Sequence, residues 1–370
     1  MIDLQVNYIF SKHNTNFELA CDELINQLKT LNKLIKLSFF IDAKSNNDFA
    51  LKKDILKKAI IKLFGTSAPG LTFISQKPLN HILAAECVCY NAAPLTLQHK
   101  TSEHCNYLIA SEDAYKKILF ITNLEGDTSQ SISTQCTSLF KEVEEIFNKE
   151  KFDLNTIVRQ WNYIPSITQF EKGIQNYQAF NDARSLHYNR TVWPNGYPAA
   201  TGIGTQFGGV HIDLMAMQGY PNAHPIVNKQ QIDAHSYSED VLEGYSTNLL
   251  TDKSTPKFER AKLINEGHTS TLFISGTAAI KGEANYHKND AAMQTDLTLD
   301  HIEELIRSAS QLEEKEPTTI KAMRVYIKLE RDLKGIKDVC MQRYPDIPII
   351  YLLSDVCRDE LLVEIEGIAQ

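Results

Sequence analysis

Lys117 to Leu124 (KILFITNL) is a near-continuous apolar run of strand length. After it, Leu139, Val143, Ile146 and Phe147 recur at three- and four-residue spacing over Ser131 to Asn148, the stripe of a helix packed on one side. Leu154 to Ile164 then reads as a strand. The same succession returns later: strand Ser270 to Ile280, helix Ala291 to Leu312, strand Ile320 to Leu329, with LFIT matched by LFIS and FKEVEEIF by LDHIEELI. A helix over Phe170 to His187 corresponds to one over Leu333 to Arg343. Each is followed by a proline and two strands, which end in His211 to Met217 and Leu362 to Ala369. Agreement in type, order and length predicts a duplicated β-β-β-α-β-α-β-β unit, with its boundary in the Gly/Pro/Asn-rich stretch Gln218 to Val227.

Ahead of the two units, Met1 to Phe10 alternates apolar and polar residues as a strand does, and Leu51, Ile55, Ala59 and Leu63 place a helix over Asn46 to Leu63. The expected class is α/β (α+β), with mixed sheets packed on helices. The expected divisions are an N-terminal α/β elaboration over 1–110, read as a covering layer, a first unit over 111–220 and a second over 225–370.

Charge and composition narrow the function. A net charge of −8 argues against a nucleic-acid surface, since phosphate neutralisation needs clustered Lys and Arg, so an anionic ligand must be met by a few local cations. The start of the chain lacks the basic stretch and apolar run of a secretion signal, and no apolar stretch approaches the roughly 20 residues that span a bilayer. A cytoplasmic location without membrane partners is expected. The seven cysteines are an odd count, and the closest pair, Cys87 and Cys89, is spaced C-x-C, which favours reduced core thiols over a zinc site or disulfides.

Generic catalytic motifs fail. Gly202-Ile203-Gly204 is followed by a strand pattern and not by the helix a dinucleotide cradle needs. His211, His224, His235, His268 and His287 place no pair one helical turn apart, so neither a metal nor another cofactor is expected.

What remains is a set of longer strings in order: Trp161 to Pro165 (WNYIP), Tyr177 to Arg184 (YQAFNDAR), Pro198 to Gly204 (PAATGIG), Phe258 to Ala261 (FERA), Leu272 to Ile280 (LFISGTAAI), Val356 to Arg358 (VCR) and Leu362 to Gly367 (LVEIEG). Together, over roughly Lys117 to Gln370, they resemble the chorismatase family, formerly grouped as pteridine-dependent oxygenase-like proteins. The resemblance implies a fold similar to the reactive-intermediate deaminases and trimeric chorismate mutase. It also implies cofactor-free release of pyruvate from chorismate, leaving a dihydroxycyclohexadiene carboxylate or 3- or 4-hydroxybenzoate for secondary metabolism.

That chemistry requires arginine forks for two carboxylates and a carboxylic acid kept neutral by burial, to protonate the enol ether carbon. The family places the acid in a G-H-E-x-x-H string. Counted from Gly276, with Gly282, His287, Asp290 and Gln294 in place, the Glu position is Ala284, and Glu283 stands where the family has His. Adjacent strand residues point to opposite faces, so Glu283 serves as the catalytic acid only if the backbone shifts by one residue, which Gly282 permits. The family string N-P-R-Q-V-S-A-Y reads Asn228 to His235 here, losing an arginine and a tyrosine.

Arg260 is the expected carboxylate clamp. Four further positions each have two readings: Thr277 lines the pocket or is a β-branched strand residue, Thr201 with Gly202 closes it or shapes a turn, His287 donates to substrate or caps a helix, and Tyr237 reaches the ligand or sits half-buried in a strand. Two functions follow: an enzyme cleaving chorismate or a close analogue, or a catalytically altered relative that binds an aromatic carboxylate or supports a biosynthetic complex. An imine deaminase is disfavoured, because Pro348 to Leu353 lacks the arginine such enzymes place there. Two fused units allow a single-chain pseudo-trimer or a homo-oligomer.

Overall fold

The computed structural model describes the chain apart from residues 1–3, 14, 92–94, 221, 246–251, 267–268 and 314–317. Its first sheet is built from β1 (Leu4–Phe10), β2 (Leu34–Ile41), β3 (Gly70–Ile74) and β4 (Leu83–Tyr90), with α1 (Phe17–Leu28) and α2 (Asn46–Phe64) between the strands. The second contains β5 (Thr96–Thr101), β6 (Asn106–Ser111), β7 (Lys117–Glu125), β8 (Ile157–Pro165), β9 (Ala199–Thr205) and β10 (His211–Gln218), with α3 (Ile132–Glu150) and α4 (Asn176–Tyr188). The third contains β11 (Ala223–Ile226), β12 (Ala261–Glu266), β13 (Thr269–Thr277), β14 (Ile320–Ile327), β15 (Ile349–Leu353) and β16 (Val363–Ala369), with α5 (Ala291–Glu313) and α6 (Leu333–Arg343).

The three sheets share one core. Each runs β-α-β-α-β-β, and its strands lie side by side in the order first, last, second, third: β1-β4-β2-β3, β7-β10-β8-β9 and β13-β16-β14-β15. The second and third strands of each unit are parallel, pairing Lys36 with Gly70, Arg159 with Ala199 and Met323 with Ile349, as a helical crossover requires. The N-terminal segment is therefore a third copy of the core and not a covering layer. The second and third units carry two further leading strands, β5-β6 and β11-β12.

The period-based helices are present with their caps. Ser45 and Ser131 accept the backbone N–H of Asp48 and Thr134, satisfying donors that the first helical turn leaves unpaired. Two departures have a backbone cause. The helix expected from Phe170 begins at Asn176, because Lys172 (φ 52°) and Gly173 (φ 83°) adopt left-handed conformations and turn Phe170–Glu171 back on Ile174–Gln175. The strand expected to reach Ile280 stops at Thr277, and Ile280–Lys281 folds onto Ala284–Asn285 across Gly282 (φ 59°). The linker over Gln218 to Val227 contributes the edge strand β11. Because β6 pairs with β7 from Ser111↔Lys117 to Asn106↔Thr122, we propose dividing the first two units between Tyr90 and Thr96.

One face of each sheet is covered by its helices. The opposite faces meet on a pseudo-threefold axis, where Leu4, Ile35 and Val88 pack with Phe120, Val158 and Met215 and with Phe273, Ala322 and Ile368. Fully burying one such side chain contributes about 1.5–3 kcal/mol. At matched register on the last strand of each unit stands an acid: Glu86 opposite Ser38, Asp213 opposite Trp161, Glu366 opposite Arg324. Each is paired with a cation from another unit: Asp213 with Lys36 (2.9 Å), Glu86 with Arg324 through two nitrogens, and Glu366 with Arg159 (2.7 Å). Three acids against three cations leave the axis formally neutral, the condition under which charges tolerate this depth.

Candidate active site

Where β9 of the second unit meets β13 of the third, two glycine-bearing strands come edge to edge. Ala200 N donates to Ser275 Oγ (2.9 Å) and Gly276 N to Thr201 Oγ1 (3.1 Å). Side chains here would fill the junction: a Cβ on Gly276 would stand 2.1 Å from Glu364 Oε1, and one on Gly202 would stand 3.0 Å from the Tyr177 ring. Their absence leaves a cleft of about 720 Å³, walled by apolar and aromatic groups such as Tyr177, Phe258 and Leu361. Two arginines, Arg260 and Arg358, and two glutamates, Glu243 and Glu364, line it. Glu243 accepts from Gln175 Nε2 (3.1 Å).

Arg260 lies at the entry to β12 and is 3% exposed. Its Nη2 donates to the Ile232 carbonyl (2.5 Å) and the Tyr237 hydroxyl (2.6 Å), while Nε is buried without a partner among the described residues. One edge of the guanidinium is thus anchored and another is left for a ligand, which suits fork-like recognition of a carboxylate. Arg358 Nη1 is held by the Glu283 carbonyl (2.7 Å) and Asn285 Oδ1 (3.0 Å). The two guanidinium groups sit 5.5 and 5.2 Å from the Tyr237 ring, so the ring spaces two cations at the cleft wall.

Glu364 faces the same space from β16. It is 5% exposed, and none of the described residues donates to its carboxyl. Burial and then the negative charge of Glu366, two residues along the same strand face, push it up to about 8, against the pull of Arg159 and Arg260. It is therefore a neutral carboxylic acid at pH 7. Glu366 itself is held by Arg159 (2.7 Å), Arg324 (3.2 Å), Trp161 Nε1 (2.9 Å) and the Thr201 hydroxyl. Two carboxyl groups on one strand thus meet different surroundings, one bridged by arginines and the other buried without a donor among the described residues, the arrangement that favours a stored proton on the second. Cys357 also lines the cleft, with its thiol pushed up to about 12 by burial and by Glu364.

Of the residues singled out from sequence, Arg260, Tyr237 and Gly202 stand on the cleft wall. Thr201 points instead to the axis, accepting from Arg159 Nη2 (2.7 Å). Thr277 is buried and donates to the Ser275 carbonyl (2.9 Å). Ala284 is exposed in its two-residue strand, and His287, in a left-handed conformation (φ 52°), offers its carbonyl to Asp290 N at the start of α5. Glu283 does not line the cleft. Its carboxylate accepts from Ser238 N (2.9 Å) and Oγ (2.7 Å), which hold it below the usual carboxylate range, so it is an anion at neutral pH and not a stored proton. Only its backbone carbonyl serves the site, by holding Arg358. The displaced-acid expectation fails because Gly282 closes a tight turn here rather than a one-residue slip of a continuing strand.

Glu364, Arg358 and Cys357 were passed over as functional residues. The alternation Val363-Glu364-Ile365-Glu366-Gly367 carried the signal: two acids on one face of a strand whose other face is apolar. Among the described residues no group of three His, Cys, Asp or Glu side chains converges to hold a metal, and no helix is long and apolar enough to cross a membrane.

Fold and site together define a class: a chain of three fused β-α-β-α-β-β cores that encloses a neutral carboxylic acid opposite two arginines at the junction of its second and third units. Known proteins resemble this arrangement. Residues 95–216 match the family model described as Chorismatase FkbO/Hyg5-like, N-terminal. A 3-hydroxybenzoate synthase of Streptomyces hygroscopicus is 29% identical over 231 residues, 59% of this chain and 65% of that protein. A chorismatase of the same organism is 29% identical over 219 residues, 57% of this chain and 60% of that protein. The matches thus span less than two thirds of these relatives' own length. A chorismatase crystal structure superposes on 100% of this chain and 99% of its own with a TM-score of 0.75 at 18% identity, which establishes the fold. The chain thus shares the fold of a chorismatase and is similar in sequence, over part of its length, to the chorismatase family.

Proposed function

We propose that the cleft cleaves the enolpyruvyl ether of chorismate or a close analogue, with Glu364 as the general acid. The observation that carries this reading is the buried Glu364 carboxyl, without a donor among the described residues, neutral at pH 7 and lining one cleft with Arg260 and Arg358. In this reading the two arginines take the substrate's two carboxylates. Glu364 then gives its proton to the methylene carbon of the enol ether. The oxocarbenium ion so formed takes up water, the ether C–O bond breaks, and pyruvate departs. The ring leaves as a dihydroxycyclohexadiene carboxylate with net uptake of one water, or, when the ring then loses one water and aromatises, as a hydroxybenzoate with no net water taken up.

The relatives' names, chorismatase and 3-hydroxybenzoate synthase, support chorismate as substrate and a hydroxybenzoate as one product. The alternative of a binding protein that lacks an acid rested on Ala284, and no observation of the site favours it once Glu364 supplies the proton. We further assign the activity to a single chain in the cytoplasm, without nucleic-acid or membrane partners. Three units already meet around the axis, and all seven cysteines are unpaired, in keeping with a reducing compartment.

Pyruvate release from chorismate, followed with lactate dehydrogenase, tests this reading. Wild type is expected to turn over, and Glu364→Gln to lose about 10²- to 10⁴-fold in kcat, the range for a general acid. Absence of turnover in wild type, or full turnover in Glu364→Gln, refutes it.

A further inference from the structure

Between the cleft and the pseudo-threefold axis lies one strand, and both of its inward acids are committed to different neighbours. Glu364 looks into the cleft and Glu366 into the axial cluster. The link between them runs through Thr201. Its hydroxyl donates to Glu366 and accepts from Arg159 Nη2 (2.7 Å) and Gly276 N (3.1 Å), and Gly276 is the residue whose missing Cβ makes room for Glu364 Oε1.

We propose that Glu366 is the positioning residue for the cleft acid: clamped by Arg159, Arg324 and Trp161, it stands behind Glu364 on the same strand face and, through Thr201, fixes the Gly276 edge on which Glu364 rests. Two effects follow. Its fixed negative charge keeps the proton on Glu364. Its hydrogen bonds keep the β9–β13 junction at the spacing the acid needs. The inference builds on the reading of Glu364 as the general acid, but its electrostatic half concerns the protonation of Glu364 alone.

The charged and titratable groups around Glu364 set the expected signs. They are Glu366 on its own strand, Arg159 from β8, Arg260 from the start of β12, Tyr177 from α4, Cys357 and Arg358 from the segment before β16, Tyr237, and Glu243 on the cleft wall. Glu366→Gln deletes the negative charge that raises Glu364 and leaves Arg159 less compensated, and both changes favour the ionised form of Glu364. Arg159→Gln deletes a cation and favours the neutral form. A charge at this range moves a neighbouring carboxyl by about one unit or more.

The test is a ¹³C titration of glutamate-labelled protein, with the Glu364 signal assigned from its loss in Glu364→Gln. Near-UV circular dichroism verifies the fold of each variant. The Glu364 midpoint is expected to fall by about one pH unit or more in Glu366→Gln and to rise in Arg159→Gln. Because the shifts have opposite signs, either variant that folds is decisive. A midpoint that stays put overturns the proposal. In the pyruvate assay, Thr201→Val is expected to lower kcat with the alkaline limb of the pH profile unmoved, and Thr201→Ser to restore it. A Thr201→Val enzyme with wild-type kcat removes the positioning half. The titration needs no turnover, so a chain that releases no pyruvate but shows the opposite shifts overturns the chorismate reading and leaves the electrostatic coupling standing.

Discussion

Gly276 and Glu364 occupy one another's space. The position a Cβ would take on Gly276 is 2.1 Å from Glu364 Oε1, although the two residues lie on different strands of the third unit. The acid reaches the cleft only because the strand beside it carries no side chain at that point.

Gly276→Ala is therefore expected to displace the Glu364 carboxyl and to lower kcat at least tenfold, with about 1–3 kcal/mol of overpacking cost to stability. Gly335→Ala, in α6 with its nearest neighbour at an ordinary 3.7 Å, is the control. It is expected to keep turnover and to gain up to about 1 kcal/mol from helix propensity. Thermal melts and the pyruvate assay on both variants decide.

Arg260 is anchored at one nitrogen, by Ile232 and Tyr237, so its loss removes a donor fork without unlocking a sheet. Arg260→Ala is expected to raise KM about tenfold or more with a smaller change in Tm, and Arg260→Lys to recover little, because an ammonium cannot reproduce a bidentate fork. Steady-state kinetics with chorismate and calorimetric titration with 3-hydroxybenzoate measure it. Unchanged affinity in Arg260→Ala removes the clamp.

The pH dependence follows from the direction of the Glu364 shift, from 4.5 up to about 8. The acid is active while protonated, so kcat/KM for pyruvate release should fall as pH rises through about 8. For stability, a carboxyl raised in the folded state favours folding fully below pH 4.5, and that contribution is lost as pH rises to about 8. Glu364→Gln carries no such term, so its Tm relative to wild type should climb across that window. Melts of both proteins from pH 4 to 9 test the sign, and parallel curves contradict it.

Arg324 holds Glu86 through two nitrogens and also reaches Glu366 (3.2 Å). Removing it in Arg324→Met leaves two buried carboxylates undercompensated and should cost about 3–5 kcal/mol in denaturant unfolding. Adding Glu86→Gln to the same chain should return part of that loss. If the double variant is no more stable than the single one, the axial pairing is not electrostatic in origin.

The sequence by itself determined the local and periodic features. Helical spacing set α2, α3, α5 and α6 to within two residues at each end, because an apolar stripe at helical period forms a helix wherever it packs, and α2 and α3 are fixed further by their serine caps. Repetition of strings revealed that two units are copies, and the strings themselves pointed to the chorismatase family. Arg260, Tyr237 and Gly202, singled out from those strings, stand on one cleft wall. Hidden from it were the third copy, whose relation to the others lies in strand order rather than in residue identity, and the identity of the acid. Whether a glutamate stores a proton depends on what surrounds it. Glu283, beside a tight glycine turn, meets two donors from Ser238 and is an anion, while Glu364, wedged against Gly276 with Glu366 behind it, meets none among the described residues and keeps its proton. Those neighbours come from strands up to 207 residues apart, as in the pairing of Arg159 with Glu366, and desolvation and charge pairing at such separations exist only once the three sheets have closed around their axis.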